Sequence, residues 1–308
     1  MKILITDEVD YILIKLLNQH NLEYELNVTD SVETLLTIIK KFDGLIVRNR
    51  IKINSDFLYK SKNLKFIARY GSGMESIDTD TAEKLNIQCF NSAEGNANAV
   101  GEHCLGILLS LFHQINYAAN QVANKIWKRE ENRGTELENK IVGIIGYGNT
   151  GQAFAQKLKG FNCSILSYDK YKTGFGNKFV EEVNLKSIYE KCDIISLHVP
   201  FNYETKYLIN NDFICKMKKS FYLLNTSRGA IVSNNDLIKA IKSKKILGAG
   251  LDVIENENFK FNSINIDAAL NYLLNCKNVI ITPHIAGLSK ESNKKLSEVI
   301  VHKILKLI

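Results

Sequence analysis

The sequence predicts an α/β chain with two doubly wound parallel sheets, and three observations carry that expectation. Short apolar runs alternate with amphipathic segments at the spacing of βαβ units from the first residues onward. One such run, Lys140 to Ile145, opens directly into Gly146-Tyr147-Gly148-Asn149-Thr150-Gly151 and then a helical pattern. At 308 residues, 45% of them apolar, the chain is longer than a single hydrophobic core usually grows and has enough apolar mass to fill two.

In the first hundred residues the rhythm reads as strand 2–6, helix 11–19, strand 24–26, helix 31–41, strand 44–48, helix 55–61, strand 65–68, a short helix near 80–85 and strand 88–91. Alternation at that pitch builds a parallel sheet of flavodoxin-like size. The small polar stretch from Asn91 to Asn98 then breaks the pattern and is expected to act as a hinge, because small residues absorb backbone rotation. From Ala99 a long apolar helix runs through Phe112 and needs cover on most sides. Strands near 141–145, 164–168, 194–198, 221–225, 248–252 and 279–282 form a second, larger sheet. The last helix, 290–308, returns to pack on the first. The expected organisation is thus a Rossmann-type domain, residues 98–283, inserted into a flavodoxin-like domain made of residues 1–97 and 284–308.

The glycine pattern lies between a strand and a helix, where its residues have separable jobs. Gly146 permits a tight turn, Gly148 lets backbone approach a pyrophosphate, and Gly151 lets helix pack on strand, so phosphates meet the amides of a helix N-terminus, including Asn149 and Thr150. A second strand ends at Asp169, 18 residues past Gly151. An acid there accepts hydrogen bonds from ribose hydroxyls and repels a 2′-phosphate, which favours NAD over NADP.

Nearer the C-terminus the chain offers one arginine, one carboxylate and one imidazole after successive strands: Arg228, a glutamate in Glu255-Asn256-Glu257, and His284 behind Pro283. Oxidation of a hydroxy acid needs those types: a planar cation for the carboxylate, a base for the hydroxyl proton and an anion that orients the base. Other functions find less support. Charged residues make up 24% with a net charge of +7, but the lysines are scattered over amphipathic segments without the aromatic platforms of nucleic-acid readers. Six cysteines form no C-x-x-C pair and read as reduced core residues of a cytoplasmic protein, with no zinc site or other metal implied. No apolar run reaches membrane-spanning length, and the start reads as a strand in place of a signal peptide.

Several ordered motifs carry a resemblance along nearly the whole chain. Besides the glycine-rich segment these are Arg69-Tyr70-Gly71-Ser72-Gly73, Asn98-Ala99-Val100-Gly101-Glu102-His103, Ser196-Leu197-His198-Val199-Pro200, Thr226-Ser227-Arg228-Gly229-Ala230 and Thr282-Pro283-His284-Ile285-Ala286-Gly287. Together they resemble the D-isomer-specific 2-hydroxyacid dehydrogenase family. The resemblance implies that Arg228 binds the substrate carboxylate and carbonyl oxygen, that His284 exchanges the C2 hydroxyl proton, and that Glu257, with Glu255 as the competing candidate, holds the imidazole in one tautomer. Formate dehydrogenases of the family carry glutamine at that position, so the acid implies a different substrate. The backbone amides of Ser72 and Gly73 resemble the family's carboxylate-binding loop. Asp252 is expected near the nicotinamide carboxamide, with His198, Val199, Pro200 and Thr226 lining the cofactor channel.

For the substrate, Gly44 to Arg50 with Arg69 and Asn96 resembles the phosphate side of the D-3-phosphoglycerate dehydrogenase branch, with Arg48 as the leading cation; Trp127-Lys128-Arg129 and Gly134 to Leu137 echo the same branch. The expectation is oxidation of D-3-phosphoglycerate, the first step of serine synthesis, by a homodimer joined through its cofactor domain. A reductase of glyoxylate, hydroxypyruvate or pyruvate is the alternative within the class. Outside the class stands an NADH-responsive corepressor-like binding protein, which would need a peptide groove or long disordered tails. Two departures stand out: Asn258 replaces the usual proline after Glu257, and the loop between Glu257 and His284 is long. The sequence ends at Ile308 with no regulatory domain, so serine feedback through one is not expected.

Overall fold

The computed structural model describes residues 1–255, 257 and 264–307. Asn258 and Ile308, singled out in the sequence, lie outside the described residues, as does Asn256. In chain order the elements are β1 (Lys2–Ile5), α1 (Tyr11–Gln19), β2 (Glu23–Leu26), α2 (Val32–Ile38), β3 (Gly44–Val47), α3 (Ser55–Lys60), β4 (Phe66–Arg69), α4 (Thr79–Lys84), β5 (Gln88–Asn91), α5 (Ala93–Phe112) and α6 (Ile115–Ala123). There follow β6 (Ile141–Ile145), α7 (Asn149–Lys157), β7 (Ser164–Tyr168), β8 (Glu181–Glu182), α8 (Leu185–Lys191), β9 (Ile194–Leu197), α9 (Asn211–Lys216), β10 (Phe221–Asn225), α10 (Asn234–Lys242), β11 (Ile246–Leu251), α11 (Ala268–Leu274), β12 (Val279–Ile281) and α12 (Lys290–Leu305). The chain forms two compact units, one of residues 1–97 with 288–308 and one of residues 98–287.

The first unit is a five-stranded parallel sheet in the order β2-β1-β3-β4-β5, which is the flavodoxin-like winding. Strands β3 and β4 are buried at every position, as expected where helices cover both faces. Its helices start at side-chain caps: Asp10, Ser31, Asn54 and Asp78 each accept a first-turn amide. One face buries Leu35, Phe42, Leu45, Phe57 and Ile67. The other packs Ile3, Ile5, Leu13 and Leu17 against Leu296, Ile300, Val301 and Ile304 of α12. Tyr70, itself 1% exposed, places its hydroxyl 3.0 Å from both Asn293 O and Ser297 Oγ and so ties the C-terminal helix to the end of β4.

The expected hinge at Asn91 to Asn98 is not irregular. Helix α5 begins at Ala93, with Gly95 N bonded to Ser92 O. The small residues there serve packing: a Cβ on Gly95 would lie 2.6 Å from Leu296 N, so glycine lets α5 press against the backbone of α12. The last helix ends at Leu305, short of the expected terminus.

The second unit carries a seven-stranded parallel sheet, β12-β11-β10-β9-β6-β7-β8. Counted from β6, six of its strands follow the order 3-2-1-4-5-6 of a dinucleotide-binding sheet, with the reversal between β6 and β9. The two-residue β8 has no counterpart in the expected strands; Glu181 and Glu182 give no apolar run to read. One face buries Leu223, Ile231, Leu237, Ala249 and Leu273, the other Cys104, Leu108, Ile144, Phe154 and Leu224. Among the described residues no helix is long and apolar enough to cross a membrane.

If the Tyr70 hydroxyl anchors α12, Tyr70→Phe costs about 1–2 kcal/mol in denaturant unfolding, the net worth of one or two buried hydrogen bonds. An unchanged midpoint and slope would show that apolar packing alone holds the helix.

Candidate active site

Parallel register sets the site. Asn225 pairs with Leu251 across β10 and β11, and Leu251 with Ile281 across β11 and β12, so three strands end side by side. The bonds continue past the strand ends: Asp252 N to Asn225 O at 2.9 Å, Thr282 N to Leu251 O at 2.9 Å and His284 N to Asp252 O at 2.8 Å. The loops bearing Arg228, Glu257 and His284 therefore emerge from one edge of this sheet.

His284 sits at φ 55°, a left-handed conformation uncommon for a side chain of this size. The surrounding bonds hold it there. Its Nδ1 lies 2.8 Å from Glu257 Oε2, and the two side chains are 21% and 13% exposed. An ionised carboxylate only accepts, so Nδ1 carries the hydrogen and Nε2 the lone pair. Glu257 Oε1 accepts the amide of Ile254 at 2.8 Å, and Glu257 N donates to Ile254 O, so the carboxylate belongs to a closed turn. Glu255 faces elsewhere: it accepts Asn234 N at 3.1 Å and the Tyr207 hydroxyl.

Arg228 follows β10, half-buried, with Nη1 donating to Ser227 O at 2.6 Å. Asn225 Nδ2 donates to Arg228 O, and Ser227 Oγ reaches Leu197 O at 2.7 Å. Glycine next to the arginine is obligatory, since a Cβ on Gly229 would lie 1.9 Å from Ile254 O. The arginine loop and the Glu257 turn thus touch backbone to backbone.

Asp252, expected beside a nicotinamide, is fully buried within the second unit. Its Oδ1 accepts Thr282 Oγ1 at 2.6 Å and Ile285 N at 2.9 Å, its Oδ2 accepts Ala286 N at 2.8 Å, and His103 Nε2 lies 3.4 Å from Oδ1. Burial alone would raise this carboxyl; the bonds from His103, Thr282 and the two amides outweigh it and hold the group below the usual carboxylate range. His103 and Thr282, joined at 3.0 Å, were assigned no role from sequence, where nothing but the folded chain relates positions so far apart.

At the glycine-rich loop the structure fits a dinucleotide. Gly146 has φ 94° and no room for a Cβ, 2.4 Å from His198 O, whereas a Cβ on Gly148 meets nothing within 4 Å. The first turn of α7 has no side-chain cap, so the amides at Asn149, Thr150 and Gly151 remain available to phosphate oxygens. Asp169 at the end of β7 is held by Tyr147 N, Tyr171 N and Lys172 N at 2.8 to 3.0 Å. The imidazole of His198 is buried between Ser196 Oγ and Thr150 Oγ1, at 2.8 and 3.2 Å. Thr226 places its hydroxyl 3.1 Å from Cys104 Sγ. Val199 is half-buried and Pro200 exposed.

The remaining candidates lie in the first unit. Arg48 is half-buried at the end of β3, on a loop pinned by Asp7 Oδ1, which accepts Asn49 N and Arg50 N at 2.8 and 2.7 Å. Ser72 Oγ donates to Asn96 Oδ1 at 2.8 Å, and Asn91 Nδ2 to Ser72 O at 2.7 Å, which fixes the loop carrying the amides of Ser72 and Gly73. Arg69 is 7% exposed and donates to Tyr70 O and Asn49 Oδ1. Arg50 likewise donates to Thr6, Asp30 and Asn27 carbonyls.

Residues 105–286 match the family described as D-isomer specific 2-hydroxyacid dehydrogenase, NAD binding domain. Over 94% of its length the chain is 34% identical to a hydroxypyruvate reductase of Thermotoga maritima, covering 92% of that protein. Over its whole length it is 32% identical to a D-3-phosphoglycerate dehydrogenase of Methanocaldococcus jannaschii, of which it spans 57%. A D-lactate dehydrogenase from Aquifex aeolicus, solved with NAD and lactic acid, superposes with a TM-score of 0.85 at 27% identity over all of this chain and 95% of that one.

Burial pushes the His198 imidazole down to about 3. An unfolded histidine titrates near ~6.5, so below that pH the unfolded chain binds a proton that the fold excludes. Stability is full above that value and is lost progressively as pH falls toward 3. His198→Gln should flatten the fall of denaturant stability across that window; an unaltered pH profile would place the loss in other groups.

Proposed function

The chain belongs to the D-isomer-specific 2-hydroxyacid dehydrogenase family, and from that membership we propose that it oxidises a small 2-hydroxy acid at C2 with NAD, D-3-phosphoglycerate being the preferred substrate. The observation that carries the chemistry is the 2.8 Å bond from His284 Nδ1 to Glu257 Oε2, which leaves Nε2 as the base. Arg228 binds the substrate carboxylate and steadies the oxygen at C2, where its planar fork suits two acceptors. His284 takes the hydroxyl proton at Nε2, and Glu257 stabilises the imidazolium so formed. When bound, NAD supplies the hydride acceptor. The uncapped α7 and Asp169 would hold its phosphates and adenosine ribose, and Ser72 and Gly73 would offer amides to the substrate carboxylate.

The phosphorylated substrate is favoured by Arg48, a cation at a strand end, and by likeness over the full chain to D-3-phosphoglycerate dehydrogenases. Such an enzyme would open serine synthesis. One observation favours a second reading, reduction of hydroxypyruvate or glyoxylate: Arg69 is turned into its own unit, which leaves fewer cations for a dianion. Free cysteines suit a reducing, cytoplasmic setting. Exposed Ile115, Val122, Ile126 and Trp127 on and after α6 suit a homodimer.

His284→Asn should lower kcat by about 10²–10⁴-fold, the usual worth of a general base, with NAD affinity retained. Glu257→Gln should lower kcat while leaving KM for the acid within a few fold; wild-type turnover in either variant overturns the assignment. In a panel of D-3-phosphoglycerate, D-glycerate, D-lactate and malate with both nucleotides, the phosphorylated acid should be turned over best. Arg48→Ala should raise its KM about tenfold or more, the worth of one charged hydrogen bond, and leave D-glycerate unaffected. Good turnover of D-glycerate or D-lactate with none of the phosphorylated acid selects the second reading.

A further inference from the structure

Two loops flank the glycine-rich turn, one after β7 and one after β9, because those strands lie on either side of β6. The first reads Asp169-Lys170-Tyr171-Lys172, an acid followed by two lysines. A lysine just past such an acid is well placed to meet a ribose 2′-phosphate. Here Lys170 is occupied. Its Nζ lies 2.6 Å from Glu204 Oε1 on the second loop, and the Tyr171 hydroxyl donates to Glu204 Oε2.

Glu204 does not arrive there by chance of a mobile side chain. Its loop is a closed turn in which Glu204 N and Thr205 N both donate to Asn202 Oδ1, Asn202 N donates to Thr205 Oγ1 at 2.9 Å, and Thr205 Oγ1 donates to Pro200 O at 2.6 Å. The opposite loop is fixed as firmly, with Tyr171 N and Lys172 N both on Asp169 Oδ1. Glu204 is 23% exposed and Lys170 55%, so the carboxylate is the more sheltered partner.

We propose that Glu204 is a second determinant of NAD over NADP: by holding the Lys170 ammonium across the glycine-rich turn, it removes the cation that a 2′-phosphate would need. Asp169 supplies repulsion and Glu204 withholds attraction. The titration of the pair agrees in sense, since hydrogen bonding to Glu204 raises Lys170 and hydrogen bonding to Lys170, then to Tyr171, lowers Glu204.

The inference rests on the glycine-rich loop and Asp169 being the adenosine site, and binding of nucleotide fragments separates the two questions. By calorimetry, Glu204→Gln should bind 2′,5′-ADP about tenfold tighter than wild type, the net worth of one charge-assisted hydrogen bond, with 5′-ADP within about twofold. Adding Lys170→Met should abolish the gain. Unchanged affinity for 2′,5′-ADP in Glu204→Gln, or a gain that survives Lys170→Met, overturns the role of Glu204. Separately, if Gly148→Val leaves 5′-ADP binding intact, the adenosine site lies elsewhere and the proposal falls with it.

Discussion

The carboxylate of Asp252 makes the interactions on which the candidate active site depends. A carboxylate without exposure must find hydrogen-bond donors inside the fold, and this one takes a hydroxyl from Thr282 and amides from Ile285 and Ala286. Those donors lie on both sides of His284, whose own amide bonds to Asp252 O. Satisfying one buried acid therefore fixes the chain before and after the histidine and holds it at positive φ. With the backbone so placed, Nδ1 meets Glu257, and the lone pair is directed away from the carboxylate.

Electrostatics and strain are thus divided between two acids with different duties. Glu257 is partly open and bonds to the imidazole. Asp252 is closed and bonds to backbone. Beside them, the contact of Gly229 with Ile254 transmits the placement of the Glu257 turn to the loop that carries Arg228. The three candidate side chains, Arg228, Glu257 and His284, come from distant stretches of sequence, but backbone contacts register them to one another, and backbone is stiffer than side chain.

Much of this was legible in the sequence because parallel strands covered on both faces are continuous apolar runs, and β3, β4, β6 and β9 read as such. The glycine turn was legible because Gly146 needs a positive φ and Gly151 packs 2.1 Å, at its absent Cβ, from Gly146 O. Other features were hidden for definite reasons. The start of α5 was missed because small residues from Ala93 to Asn98 look like a flexible link when their partner helix lies 200 residues further on. The resemblance implies a place near the cofactor for Asp252 and His198, but it says nothing of the bonds they make within the fold. Position along a strand does not reveal the partners of a side chain, and both make hydrogen bonds within the second unit. The bonds of His103 carried no signal, since its partners Thr282 and Asp252 come near only through the sheet.

The packing of α12 on Ile3, Ile5 and Leu13 also bears on the order in which a ribosome delivers the molecule. The second unit is one uninterrupted stretch, so every strand of its sheet is translated before α12. The first unit begins earlier and finishes later: its five strands are translated first, but on one face of their sheet only α1, through Leu13 and Leu17, is in place until Leu296 to Ile304 leave the exit tunnel. The nascent N-terminal sheet must then wait with part of an apolar face open to water for as long as about 190 further residues take to be translated, roughly ten to forty seconds at ordinary rates of synthesis. In this chain the part that is born first is the part completed last.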